Sequence, residues 1–122
     1  PLNVSAPFHS SLMHHVALEL RKAFDGISWK APSVHIVSNV TAEAVQTVEE
    51  AQEALFLQAD HPVRWSESVA FMRAKGVDIF LELGPGNVLA GLAKRILDKD
   101  VRILNVRSVE DCQGLGVLLE EA

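Results

Sequence analysis

Pro7-Phe8-His9-Ser10-Ser11 sets an imidazole between a turn-forming proline and two residues suited to start a helix. Imidazole titrates close to neutral pH, so a histidine held there can take up a proton and return it. Loops carried on a rigid scaffold are where such groups are exposed. Taken alone, a loop histidine is more often structural than catalytic. The five histidines also invite a metal reading. His14 and His15 are adjacent and would point ~100° apart on a helix. His9 precedes them by five and six positions, not by the i, i+4 spacing of helical metal pairs. The single cysteine, Cys112, excludes an internal disulfide and the four-ligand zinc patterns. Neither metal nor cofactor is expected. Gly84-Pro85-Gly86 resembles a phosphate-binding turn only weakly, because tight packing of a strand on a helix explains it equally well.

The elements that must position His9 follow from spacing. Leu2-Asn3-Val4-Ser5 reads as a short strand ending at Ala6-Pro7. Ser10 or Ser11 caps a helix to about Phe24 with Leu12, Val16, Leu20 and Ala23 on one face, stopped by Gly26. Val34-His35-Ile36-Val37 reads as a strand entering the turn Ser38-Asn39. Thr47-Val48-Glu49-Glu50 has capping-box spacing and opens a helix to about Leu57. Pro62 is placed in the first turn of the next helix, whose stripe is Trp65, Val69 and Met72 and whose end is Gly76. The apolar run Val77 to Leu83 predicts a strand buried on both faces. After Gly84-Pro85-Gly86 comes a helix with Val88, Leu89, Leu92 and Ile96 inward. Val101 to Val106 is a further strand, and Ser108 caps a last helix holding Leu115, Leu118 and Leu119. Helices alternating with short buried strands predict a layered α/β fold with a mainly parallel sheet.

Composition sets the outer limits. With 122 residues, 48% hydrophobic and 22% charged, the chain suits one packed domain and is not disordered in type. A formal charge of −5 argues against nucleic acid as the main partner, since phosphate binding needs a basic face. Apolar stretches are all shorter than the ~18 residues that cross a membrane, and no basic-then-apolar leader opens the chain. A cytoplasmic location is the expectation. The first Met is Met13 and the chain opens at Pro1, so we expect a fragment, a processed product or one piece of a larger subunit.

Val4-Ser5-Ala6-Pro7-Phe8-His9-Ser10-Ser11-Leu12-Met13 resembles the second active-site motif of the malonyl-CoA:acyl carrier protein transacylases and of related acyltransferase domains. Three further segments match in the same order. They are Ala54-Leu55-Phe56-Leu57-Gln58 with Pro62-Val63-Arg64-Trp65, Phe80-Leu81-Glu82-Leu83-Gly84-Pro85-Gly86 with Val88-Leu89, and Gly91-Leu92-Ala93-Lys94-Arg95. The family fold is an α/β-hydrolase-like subdomain carrying a ferredoxin-like insert. The resemblance implies that residues 1–122 are the C-terminal part of the larger subdomain, following the insert.

It also implies a double displacement. A serine in G-x-S-x-G takes malonyl from coenzyme A as an ester, and the phosphopantetheine thiol of acyl carrier protein takes it from the serine. His9 matches the general base. Gln58 matches the position whose main-chain carbonyl orients that histidine; Gln58-Ala59-Asp60-His61 departs there from the usual aromatic or leucine-containing spacer. Phe8 matches a position that crowds an α-methyl group on the acyl chain. Lys94 and Arg95 form a basic pair on the outer side of the helix after Gly86, suited to acidic acyl carrier protein. No G-x-S-x-G occurs in the chain, and none of its arginines falls in the malonate-binding motif, so this chain alone is expected to be inert. The partners implied are malonyl-CoA, acyl carrier protein and the missing N-terminal part of the same enzyme. The alternatives are an acyltransferase domain of a polyketide or fatty acid synthase, and a non-catalytic remnant acting as a binding module.

Overall fold

Helix ends in this protein are set by a few side chains that satisfy otherwise unpaired backbone groups. The computed structural model describes residues 6–120, so the strand expected at Leu2-Asn3-Val4-Ser5 lies outside the described residues. The chain divides into two units, Pro1–Ser68 and Val69–Ala122.

In the first unit, a 3-10 turn at Ser11–Met13 leads into α1, His14–Phe24. Ser10 does not cap α1 through its side chain; its hydroxyl donates to the Pro7 carbonyl at 2.7 Å instead. The helix ends as expected, with the Gly26 N–H on the Ala23 carbonyl. Strands β1, Ile36–Val37, and β2, Ala44–Val45, form a two-residue antiparallel ladder. Between them, the Ser38 hydroxyl accepts from the N–H groups of Val40 and Thr41. Helix α2, Val48–Gln58, begins with a complete capping box. The Thr47 hydroxyl accepts from Glu50 N–H at 3.1 Å, and the Glu50 carboxylate accepts from Thr47 N–H at 3.2 Å. Helices α1 and α2 are joined by Arg21, which stacks 4.0 Å over the Phe56 ring and pairs with Glu53 at 2.5 Å.

Helix α3, Trp65–Ala74, spans the division between the units. It starts three residues later than Pro62 suggests. The Arg64 N–H is given to the Asn39 carbonyl at 2.7 Å, and the Arg64 carbonyl takes Ser68 N–H, so Arg64 is the capping position and Pro62 lies ahead of the helix. The far end is a Schellman closure. Gly76 at φ 89° lets its N–H reach the Arg73 carbonyl while Val77 N–H reaches that of Met72. Val69 is fully buried, whereas Trp65 and Met72 are half-buried.

The second unit is a β-α-β unit followed by a helix. Strands β3, Ile79–Leu83, and β4, Arg102–Val106, pair in parallel with Ile79 opposite Arg102 and Leu83 opposite Val106. Between them lies α4, Val88–Ala93, and after them α5, Val109–Glu120. The Gly84 N–H still bonds the Val106 carbonyl at 2.9 Å, and the chain then reverses through positive φ at Gly84 and Gly86. The Ser108 hydroxyl caps Asp111 N–H, and the Asp111 carboxylate accepts in return from Ser108 and Arg107. Those backbone donors, Arg107 first, hold the Asp111 carboxyl below its ordinary range.

Burial corrects several expectations. Ala17 and Phe24 are the buried residues of α1, while Leu12 is 71% exposed and Val16, Leu20 and Ala23 are exposed as well. Leu83 of β3 is 73% exposed and Leu81 is also exposed, so β3 is not covered on both faces. In α4 the inward residues are Ala90 and Ala93; Val88, Leu89 and Leu92 are exposed and Ile96 is half-buried. The periodicity marks faces that favour burial, but the described residues supply only two two-stranded sheets to cover them.

Candidate active site

The turn that carries His9 is closed by Ser10, whose hydroxyl returns to Pro7, and by the Met13 N–H on the Ser10 carbonyl at 2.9 Å. His9 sits in this turn at φ 58°, a left-handed conformation that costs about 1–2 kcal/mol for a side-chain-bearing residue. Its ring is exposed, and its Nδ1 lies 2.8 Å from the main-chain oxygen of Gln58.

Gln58 is the last residue of α2, where the final carbonyls have no intrahelical donor and form the negative end of the helix dipole. The Leu57 carbonyl receives the N–H groups of Asp60 and His61. The Gln58 carbonyl receives the imidazole. A carbonyl oxygen has no hydrogen to give, so this contact puts the proton on Nδ1 of His9 and leaves Nε2 as the free lone pair of the neutral ring. The Gln58 side chain contributes much less, with Oε1 3.5 Å from Asn39 Nδ2.

Beside this contact lies a carboxylate between two imidazoles. Asp60 Oδ2 accepts from His14 Nδ1 at 2.7 Å, and Oδ1 accepts from His61 Nδ1 at 2.6 Å. The Asp60 side chain is only 7% exposed. Its carboxyl is held below the ordinary carboxylate range, chiefly by the hydrogen bond from His14 and further by His61, against the opposing effect of burial. Both contacts went unread in the sequence. The signal was the departure at Asp60-His61, together with a histidine, His14, five positions after His9 at the start of α1.

Phe8 is 57% exposed beside His9. Lys94 and Arg95 belong to the second unit, and both are exposed. They do not stand on the outer side of a helix as expected, because α4 ends at Ala93 and they form the turn that follows, with their N–H groups on the Ala90 and Leu92 carbonyls. Glu82 was also missed, an acidic residue inside an apolar strand. Its carboxylate accepts from Leu89 N–H at 3.0 Å, Ala90 N–H at 2.9 Å and Asn105 Nδ2 at 2.8 Å, and so caps α4 where Asn87 makes no side-chain cap. The Ala90 N–H does most to hold the Glu82 carboxyl below its usual range. An open cavity of about 240 Å³ between the β1–β2 hairpin and α2 is lined by Thr41, Val45, Glu50 and Leu57 among others, and touches neither His9 nor Gln58. Among the described residues, no group of three or more His, Cys, Asp or Glu could hold a metal ion, and no helix is long and apolar enough to cross a membrane.

No family model matches the chain. The malonyl CoA-acyl carrier protein transacylase of Bacillus subtilis (strain 168) is 42% identical over 96 residues, which is 79% of this chain and 30% of that protein. The acyl-carrier-protein-S-malonyltransferase of Bartonella henselae superposes with a TM-score of 0.89 at 36% identity, over 98% of this chain and 38% of that one. A malonyl-transacylase solved in complex with a type II polyketide synthase acyl-carrier protein superposes with a TM-score of 0.86 at 36% identity, over 100% of this chain and 38% of that one. The chain thus spans about a third of the length of the relatives it matches.

Proposed function

The chain belongs to the malonyl-CoA:acyl carrier protein transacylase family, and from that membership we propose that it is the histidine-bearing part of such an enzyme, acting in fatty acid biosynthesis in the cytoplasm. The observation that carries this reading is the 2.8 Å contact between His9 Nδ1 and the Gln58 carbonyl. It supports an imidazole fixed in one tautomer with Nε2 free to act as base.

In the reaction, a serine from sequence outside this chain gives its proton to Nε2 of His9 as its oxygen attacks the thioester carbonyl of malonyl-CoA. The C–S bond breaks, and the departing coenzyme A thiolate takes the proton from His9. In the second half, the phosphopantetheine thiol of acyl carrier protein gives its proton to Nε2 and attacks the seryl ester; the proton then returns to the serine oxygen. The Gln58 carbonyl keeps the ring oriented in both halves. Phe8, exposed next to His9, is the residue that would crowd an α-methyl group. Lys94 and Arg95 supply local positive charge for the acidic carrier protein on a chain of formal charge −5. The exposed apolar residues Leu12, Val16, Leu20, Leu81 and Leu83 fit a chain that packs against the remaining, serine-bearing part of the same enzyme.

The test is His9→Ala in the full-length enzyme, assayed for malonyl transfer to acyl carrier protein. Turnover should fall by roughly 10²–10⁴-fold, the usual scale for a general base. Turnover near wild type would remove His9 from the mechanism.

A further inference from the structure

We infer that Asp60 is a positioning residue for the His9–Gln58 couple: its carboxylate ties the turn after α2 to the first turn of α1 and so holds the Gln58 carbonyl on His9 Nδ1. The inference rests on the reading of His9 as the base, and adds to it the device that keeps the base in place.

Two links join the same pair of segments. His9 reaches Gln58, and five residues on, His14 reaches Asp60, two residues beyond Gln58. One hydrogen bond to an exposed loop histidine, itself in a left-handed conformation, is a weak restraint in water. A second link close by removes the hinge freedom that a single contact leaves, and a bond to an ionised acceptor is stronger than one between neutral groups.

The carboxylate is itself fixed at both oxygens. His61 Nδ1 holds Oδ1 at 2.6 Å while also lying 2.9 Å from the Leu57 carbonyl, so the side chain cannot swing away from His14 without breaking a second contact. The groups facing Asp60 are these two imidazoles, one from α1 and one from its own turn. His14 also meets the Phe56 ring edge-on at 6.4 Å, which sets it against α2 as well. A displacement of about 1 Å in a reacting group is enough to cost up to ~10²-fold in rate, so a clamp outside the reacting atoms acts on turnover without touching substrate.

The experiment uses the full-length enzyme with Asp60→Ala, His14→Ala and the double substitution. Two quantities are read: kcat against KM for malonyl-CoA, and the Nδ1–H resonance of His9 in protein labelled with ¹⁵N-histidine. Asp60→Ala should lower kcat roughly tenfold at unchanged KM and broaden the His9 resonance through exchange with water. His14→Ala should do the same, and the double variant should be no worse than either single one, because both act through one link. If Asp60→Ala fails to fold, Asp60→Asn is the substitute. Its shape is conserved, but its amide hydrogens face an imidazole N–H, and the same two losses are expected. An unchanged His9 resonance, a kcat within about twofold of wild type, or losses that multiply in the double variant would each overturn the role of Asp60. His9→Ala, run alongside, separates the two claims. Normal turnover there would defeat the acyl-transfer reading, while the resonance would still decide for or against the clamp.

Discussion

Gln58 offers a way to separate a main-chain role from a side-chain role at a single position. Replacing the 58–59 peptide bond by an ester turns the Gln58 carbonyl into a poorer acceptor and leaves every side chain in place. The contact it weakens is 2.8 Å long, between a neutral ring N–H and a carbonyl at an exposed site. Such a bond contributes about 0.5–1.5 kcal/mol net, which corresponds to roughly a 2- to 13-fold loss if it is felt wholly in the transition state. The ester also removes the Ala59 N–H, whose acceptors are the Phe56 carbonyl, at 3.4 Å, and the Leu57 carbonyl. An ester at the 59–60 bond is the control, since it deletes the comparable Asp60 N–H, 3.3 Å from the Leu57 carbonyl, and spares Gln58. Gln58→Ala keeps the carbonyl, loses only the 3.5 Å contact with Asn39 and puts a better helix former at the end of α2. Its turnover should stay within about twofold of wild type. Steady-state malonyl transfer by semisynthetic full-length enzyme reads all three. An unaffected 58–59 ester together with a tenfold or larger loss in Gln58→Ala would refute the backbone argument and assign the orienting role to the side chain.

Charge reversal at Lys94 and Arg95 should slow transfer to acyl carrier protein mainly through association, by a margin that shrinks as salt rises, while transfer to free pantetheine hardly changes. Equal losses with both acceptors in a stopped-flow assay would end the docking role. Phe8→Ser should raise the kcat/KM for methylmalonyl-CoA relative to malonyl-CoA by roughly 10-fold, the scale of one methyl group in an apolar pocket, measured by competition between the two thioesters. Glu82 has a folded value below its ordinary 4.5, so its contribution to stability is present above that value and lost as pH falls through the lower folded one. Urea unfolding of Glu82→Gln should therefore show less weakening between neutral and acid pH than wild type; an equal weakening would mean that the carboxylate cap on α4 is not what acid removes.

Side chains acting on their own neighbours were legible. Thr47 and Glu50 formed the capping box that their spacing predicts, Ser108 capped α5, and Gly76 closed α3, because each satisfies backbone groups within a few residues. The parallel pairing of β3 with β4 also followed from alternating helices and apolar runs. What depended on distant partners was not legible. Pro62 was displaced from its helix because Arg64 gives its N–H to Asn39, which lies twenty-five positions earlier. Strand β2 is two residues long, Ala44–Val45, and has no periodicity to read. In α4 the small residues Ala90 and Ala93 are buried and the large ones are not, because the described residues supply only two two-stranded sheets to cover apolar faces. At the candidate site, the motif singled out His9 and Gln58, which the structure brings within 2.8 Å of each other. The departure at Asp60-His61 hinted at Asp60, but its partners, like those of Glu82, could be identified only once the fold had brought them together, since each carboxylate collects donors from more than one element.

The central claim is that His9 acts as base in the chemical step itself. Single-turnover release of coenzyme A, followed by stopped-flow with full-length enzyme in excess over malonyl-CoA and no acyl carrier protein, isolates formation of the seryl ester. His9→Ala is predicted to slow that burst by roughly 10²–10⁴-fold; a burst at the wild-type rate, with only the later transfer to the carrier protein impaired, would contradict the account.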